Sequence, residues 1–166
     1  MRLRGNKIAI LGVMASVGIL LSYIETFIYI PVKVPGIRVG LSNIVTMLAL
    51  YLFGPIEALW VLITRVLISG FLFGSGMSLL FSFAGALASV IIMILLYKSK
   101  HLSCVGVSVI AGVVHNCSQL IVAILVVENT YIGYYFPLLI ITGVLAGSIV
   151  GVLSNILINR IRQIIM

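Results

Sequence analysis

The 166-residue chain contains no aspartate, and its three glutamates stand far apart at positions 25, 57 and 128. Paired-carboxylate acid–base catalysis and aspartate-rich sites for magnesium diphosphates therefore have nothing to draw on. Charged residues make up 8% of the chain against 63% apolar ones, too little polar surface to cover a soluble core. Cysteine is confined to Cys104 and Cys117 on one predicted helix, where the two point in different directions and cannot bridge each other; they read as small apolar fillers. Zinc is poorly served, because His115 and Cys117 splay on a helix while His101 and Cys104 belong to a loop far from them. No glycine run leads into Gly-Lys-Ser/Thr, so this chain has no P-loop with which to hydrolyse ATP.

What the sequence does have is long apolar runs, broken by proline and charge into six: roughly 8–30, 40–53, 55–73, 77–97, 104–127 and 134–159. Runs of about 20 apolar residues suit helices crossing a bilayer, and the alternating ten-residue strands of a barrel are missing. The fold class expected is an all-α integral membrane protein, a compact bundle of six transmembrane helices in a single domain over 1–166. Pro31 and Pro35 follow the first run, Pro55 falls in the first turn of the third and Pro137 opens the sixth, all places where a helix tolerates or ends at proline. The second run rises only about 21 Å and needs shelter from protein at its ends. The first run is too long for the core of a signal peptide and lacks an A-x-A exit, so it is expected to stay as a span.

The net charge of +7 would raise nucleic acid as a partner in a soluble chain. Here the cations sit at the ends of apolar runs, where they meet lipid headgroups, and nucleic acid is set aside. Six spans put Arg2, Arg4, Lys7, Lys98, Lys100, Arg160 and Arg162 on one side, so both termini are expected in the cytoplasm of a multi-pass cell-membrane protein. The opposite side carries Lys33 and Arg38 in PVKVPGIRVGLSN, residues 31 to 43, with no acid beside them. Cations where insertion disfavours them suggest recognition of an anionic group, with binding of lipid headgroups as the plainer alternative.

Polar groups at membrane depth cost free energy unless paired or facing a cavity. Arg65 lies mid-way along the third run, His115, Asn116 and Gln119 mid-way along the fifth, Glu25 in the outer part of the first, and Asn43 at the start of the second. His115 and Gln119 share a helix face, which Ala111 and Ala123 extend with small side chains that read as a cavity wall. A purely structural reading pairs Arg65 with Glu25 across helices. Glu57, about 12 Å below Arg65 along its helix, belongs to the cytoplasmic end. Gly143, Gly147, Gly151, Asn155 and Asn159 form a four-residue spacing on the sixth run, read first as internal packing. Ala9, Gly12, Ser16 and Gly18 form a weaker small-residue stripe near the cytoplasmic end of the first, open to a protein partner.

The stretch PGIRVGLSNIVTMLALYLFGPIEALWVLITRVLISGFLFG, residues 35 to 74, resembles the Gx transporter family, catalogued also as heptaprenyl diphosphate synthase component I. That family is related to the S components of energy-coupling factor (ECF) transporters, six-helix proteins that bind a small molecule on the outer side and dock on a transmembrane coupling subunit carrying two ATPases. The resemblance implies an S component for a small anionic or amphipathic metabolite, with Lys33, Arg38, Asn43, Arg65, His115, Gln119 and Glu25 around the substrate. It also implies docking of the coupling subunit on Ala9, Gly12 and Ser16, although the first helix departs from the usual two-alanine form. Neither catalysis nor a metal or cofactor is expected of this chain, ATP being used by the partner subunits. An accessory membrane subunit of prenyl diphosphate or quinone biosynthesis, or a non-transporting membrane scaffold, is the alternative.

Overall fold

The computed structural model describes residues 2–28, 38, 40–99 and 101–165. Lys33, with Pro31 and Pro35, lies outside them. Among the described residues every regular element is helical: α1 (Arg2–Glu25), α2 (Asn43–Leu52), α3 (Pro55–Phe73), α4 (Gly76–Ser99), α5 (Cys104–Val127) and α6 (Phe136–Ile165), the last preceded by a 3-10 turn, Thr130–Tyr135. Five of the helices are long and apolar enough to cross a membrane. The chain is an all-α membrane bundle, ringed by outward-facing Ile8, Trp60, Phe71 and Leu125, as expected where lipid is the solvent.

Helix α1 starts earlier than expected, at Arg2 rather than 8, and α6 runs on to Ile165 rather than 159; three other boundaries differ for a local reason. The first helix ends at Glu25 rather than near 30, turning over Thr26 and Phe27. The sixth begins at Phe136 rather than 134, with Pro137 as its second residue, where a missing N–H is harmless. The short second span is shorter still. Gly40, at φ +87°, and Gly54, at φ +118°, bracket it with backbone that interrupts helix.

Ten residues rise about 15 Å, roughly half of a hydrocarbon layer of about 30 Å, so α2 cannot cross alone. Its residues from Asn43 to Leu50 are all buried, so neighbouring helices supply the shelter that length does not. The end of α2 lies with the starts of α1 and α3, where Lys7 Nζ and Glu57 Oε1 pair at 2.5 Å, and Arg162 of α6 donates to the Tyr51 carbonyl at 3.2 Å. Its start therefore falls at mid-depth, against Arg65.

Helices α5 and α6 touch backbone to backbone. A Cβ on Gly143 would lie 2.9 Å from the Gly112 carbonyl oxygen, and one on Gly147 2.7 Å from that of Ser108. The stripe on α6 is thus internal packing as far as Gly151, but Asn155 and Asn159 are exposed. Steps of four on a helix of 3.6 residues per turn drift by about 40° each, which carries the two amides off the buried face. Ala9, Gly12 and Ser16 face outward, and a Cβ on Gly12 would meet nothing within 4 Å.

Candidate functional site: a buried arginine cluster

Non-helical backbone at membrane depth is tolerated where protein satisfies its polar groups. The segment leading into α2 meets that condition through side chains of other helices. Glu25, at the end of α1, accepts from the Ser42 backbone N–H at 3.0 Å. A carboxylate at the start of α2 also suits the positive end of that helix. Gln119 Oε1 of α5 accepts from the Arg38 backbone N–H at 3.2 Å. Arg38 is buried, at 9% exposure, so it enters the bundle rather than standing on an outer surface.

Arg65 is 3% exposed and reaches the start of α2. Its Nη1 donates to Ser42 Oγ at 2.5 Å and its Nη2 to Asn43 Oδ1 at 2.6 Å. Ser42 Oγ in turn donates to Glu25 Oε2 at 3.3 Å. The direct Arg65–Glu25 ion pair suggested by the sequence is not formed; the serine hydroxyl stands between the charges. Ser42 precedes the helix as a cap would, yet makes no side-chain cap bond, because its oxygen is committed to the arginine. Gly18 of α1, expected with the small-residue stripe open to a partner, is instead buried and makes room for the Arg65 stem, since a Cβ there would lie 2.7 Å from Arg65 Cδ.

His115 and Gln119 approach from α5, with His115 Nε2 3.1 Å from Gln119 Nε2 and its Nδ1 3.3 Å from Asn43 Nδ2. Gly40 lies against the ring, where a Cβ would sit 3.2 Å from His115 Cδ2, and Gly85 of α4 lies behind it, where a Cβ would sit 2.7 Å from Gln119 Cγ. The two alanines expected to leave space beside this face do not: Ala111 and Ala123 are fully buried in apolar clusters. A cavity adjoins His115 instead. It is about 10 Å³, room for about one water, and is lined by Ser22, Glu25, Arg38, Ser42, Arg65 and His115 together with Gly40, Val66, Ser69 and Ser82. Among the described residues, Arg65 Nε and Ser82 Oγ are buried without hydrogen-bond partners.

Six of the seven substrate candidates read from the sequence, Glu25, Arg38, Asn43, Arg65, His115 and Gln119, are thus in one cluster; Lys33 lies outside the described residues. Asn116 turns away and donates to the Leu139 carbonyl at 2.8 Å, tying α5 to α6. Sequence reasoning missed Ser42, Ser22 and Ser82. Ser42 carried a signal in its place beside Asn43 just before a helix. Among the described residues no group of three potential metal ligands comes together.

A helical membrane bundle with a charged, hydrogen-bonded cluster at mid-depth defines the class of this protein. The chain belongs to the heptaprenyl diphosphate synthase component I family, whose sequence model matches residues 14–157. Neither the curated proteins nor the solved structures contain a match to it.

Proposed function

We propose that the chain is the membrane-embedded substrate-binding component of an ECF-type uptake transporter, holding a small anionic or amphipathic metabolite at the Arg65 cluster. On this reading it performs no catalysis and holds no cofactor, and ATP is used by two ATPases joined to it through a transmembrane coupling subunit. The observation that carries the reading is the cluster itself. Two arginines, a carboxylate and an imidazole are buried around a cavity, with two amides in contact with them, at a cost that packing alone would not require. Seven cations at one end of the spans support cytoplasmic termini, which turn the cluster towards the outer half of the cell membrane. The outward face of Ala9, Gly12 and Ser16 supports contact with the coupling subunit. Because the cavity holds about one water, a metabolite enters only when the side chains around it, Arg38 among them, rearrange.

Native mass spectrometry of the purified protein tests this. A small molecule should leave with the wild type and be lost from Arg65→Gln at unchanged helix content. A protein carrying bulk lipid alone in both forms would overturn the reading. The family's name favours a second reading, in which the chain is the membrane partner of a prenyl diphosphate synthase. A prenyl diphosphate leaving with the protein would select it.

A further inference from the structure

The polar side chains around His115 form a line of contacts whose ends are both fixed donors. Arg65 Nη2 meets Asn43 at 2.6 Å, Asn43 meets His115 Nδ1 at 3.3 Å, His115 Nε2 meets Gln119 at 3.1 Å, and Gln119 meets the Arg38 backbone N–H at 3.2 Å. A guanidinium and a backbone N–H have no acceptor form. Asn43, neutral His115 and Gln119 each offer one donor and one acceptor along the line, whichever way the amides are turned and whichever tautomer the ring adopts. The four contacts need four acceptors and the line supplies three. In every assignment one contact is donor against donor, and protonating His115 makes it two. With the Asn43 and Gln119 nitrogens both turned to the ring, the conflict falls on His115.

In the adjoining cavity the Ser82 hydroxyl is unpartnered among the described residues but does not bond to the arginine. Arg65 Nε points its N–H at no partner among the described residues. Arg38 and Arg65 face only Glu25 there, leaving one positive charge in excess among the described residues. Buried donors without acceptors are costly, more so when charged. We infer that the site is built around one missing acceptor, and that its ligand presents a carboxylate or phosphoryl oxygen carrying a single negative charge to Arg65, Arg38 and His115. An ammonium end would bring only donors, and a hydroxyl or amide oxygen, though it accepts, would leave the excess positive charge uncancelled. The inference deepens the substrate-binding reading and rests on it.

The protein can be made to supply the acceptor itself. Gln119→Glu or Asn43→Asp, each nearly isosteric, completes the fourth acceptor and cancels the excess charge. In nanodiscs of phosphatidylcholine, replacing chloride by inorganic phosphate or acetate at constant ionic strength should raise the wild-type melting temperature by about 2 °C or more. Both variants should melt above the wild type without these anions and lose the response to them. A rise in phosphatidylglycerol nanodiscs, with none from phosphate or acetate, would identify the oxyanion as a lipid headgroup, and the variants should lose that response too. No response of the wild type to any of the three probes overturns the inference; that is the result if a water accepts from the line and donates its own hydrogen bonds to Glu25. Variants that melt lower than the wild type, or that keep its response, overturn it as well. A neutral or cationic small molecule seen by native mass spectrometry, with no anion response, would refute the oxyanion while leaving substrate capture standing.

Discussion

Replacing Ser42 by alanine removes one oxygen and no charge, yet it cuts the link between the two opposite charges of the cluster. The hydroxyl accepts from Arg65 Nη1 at 2.5 Å and donates to Glu25 Oε2 at 3.3 Å. A hydrogen bond to a charged group contributes about 1.5–3 kcal/mol, and the longer one to Glu25 about 0.5–1 kcal/mol. Neither partner is stripped bare, because Arg65 keeps Asn43 and Glu25 keeps the Ser42 backbone N–H. Ser42→Ala should therefore destabilise the bundle by about 2–4 kcal/mol, read by equilibrium unfolding in mixed micelles. In a double-mutant cycle with Glu25→Gln the effects should fall short of additive by about 0.5–3 kcal/mol. A loss below about 0.5 kcal/mol, the size of an ordinary surface change, would refute the reasoning. It would mean that Arg65 and Glu25 interact without the serine, as the direct ion pair requires.

Leucine at two glycines should separate packing from docking. Gly147→Leu drives a side chain into the α5 backbone and should cost well over 3 kcal/mol, seen as loss of folded protein by size-exclusion chromatography. Gly12→Leu points into open space, so it should leave the melting temperature unchanged while blocking pull-down by a coupling subunit; retained pull-down would show that this face is not the docking surface. For topology, single cysteines at Ser75 and Thr130, both exposed, should react with an impermeant reagent from outside in a background lacking Cys104 and Cys117. Ser99 should not, and outside labelling there would invert the sidedness assigned to the cluster.

How the line between sequence and tertiary structure falls can be seen at α2. Composition and run length settled that the chain is a helical membrane bundle, because apolar surface and backbone satisfaction in lipid are properties of each run by itself. The cost of polar groups at depth likewise marked Glu25, Asn43, Arg65, His115 and Gln119 before any contact was known. Which atoms meet was another matter. Arg65 could reach Glu25 or Ser42 by chain length alone, and the choice was made by α2 starting at mid-depth, where its first residues needed partners. Arg38 looked like a surface cation by its neighbours in sequence, but its backbone N–H bonds to Gln119 of α5 and its side chain is buried. The alanines beside His115 promised space, and Gly85 of α4 closed the neighbouring side by approaching Gln119. Small residues leave room only if no other helix takes it, and donors are satisfied only by what the fold brings within about 3 Å. Those conditions depend on the placement of distant segments, so the identity of the buried residues was legible in the sequence, whereas their pairing, and the acceptor it leaves missing, was decided by the tertiary structure.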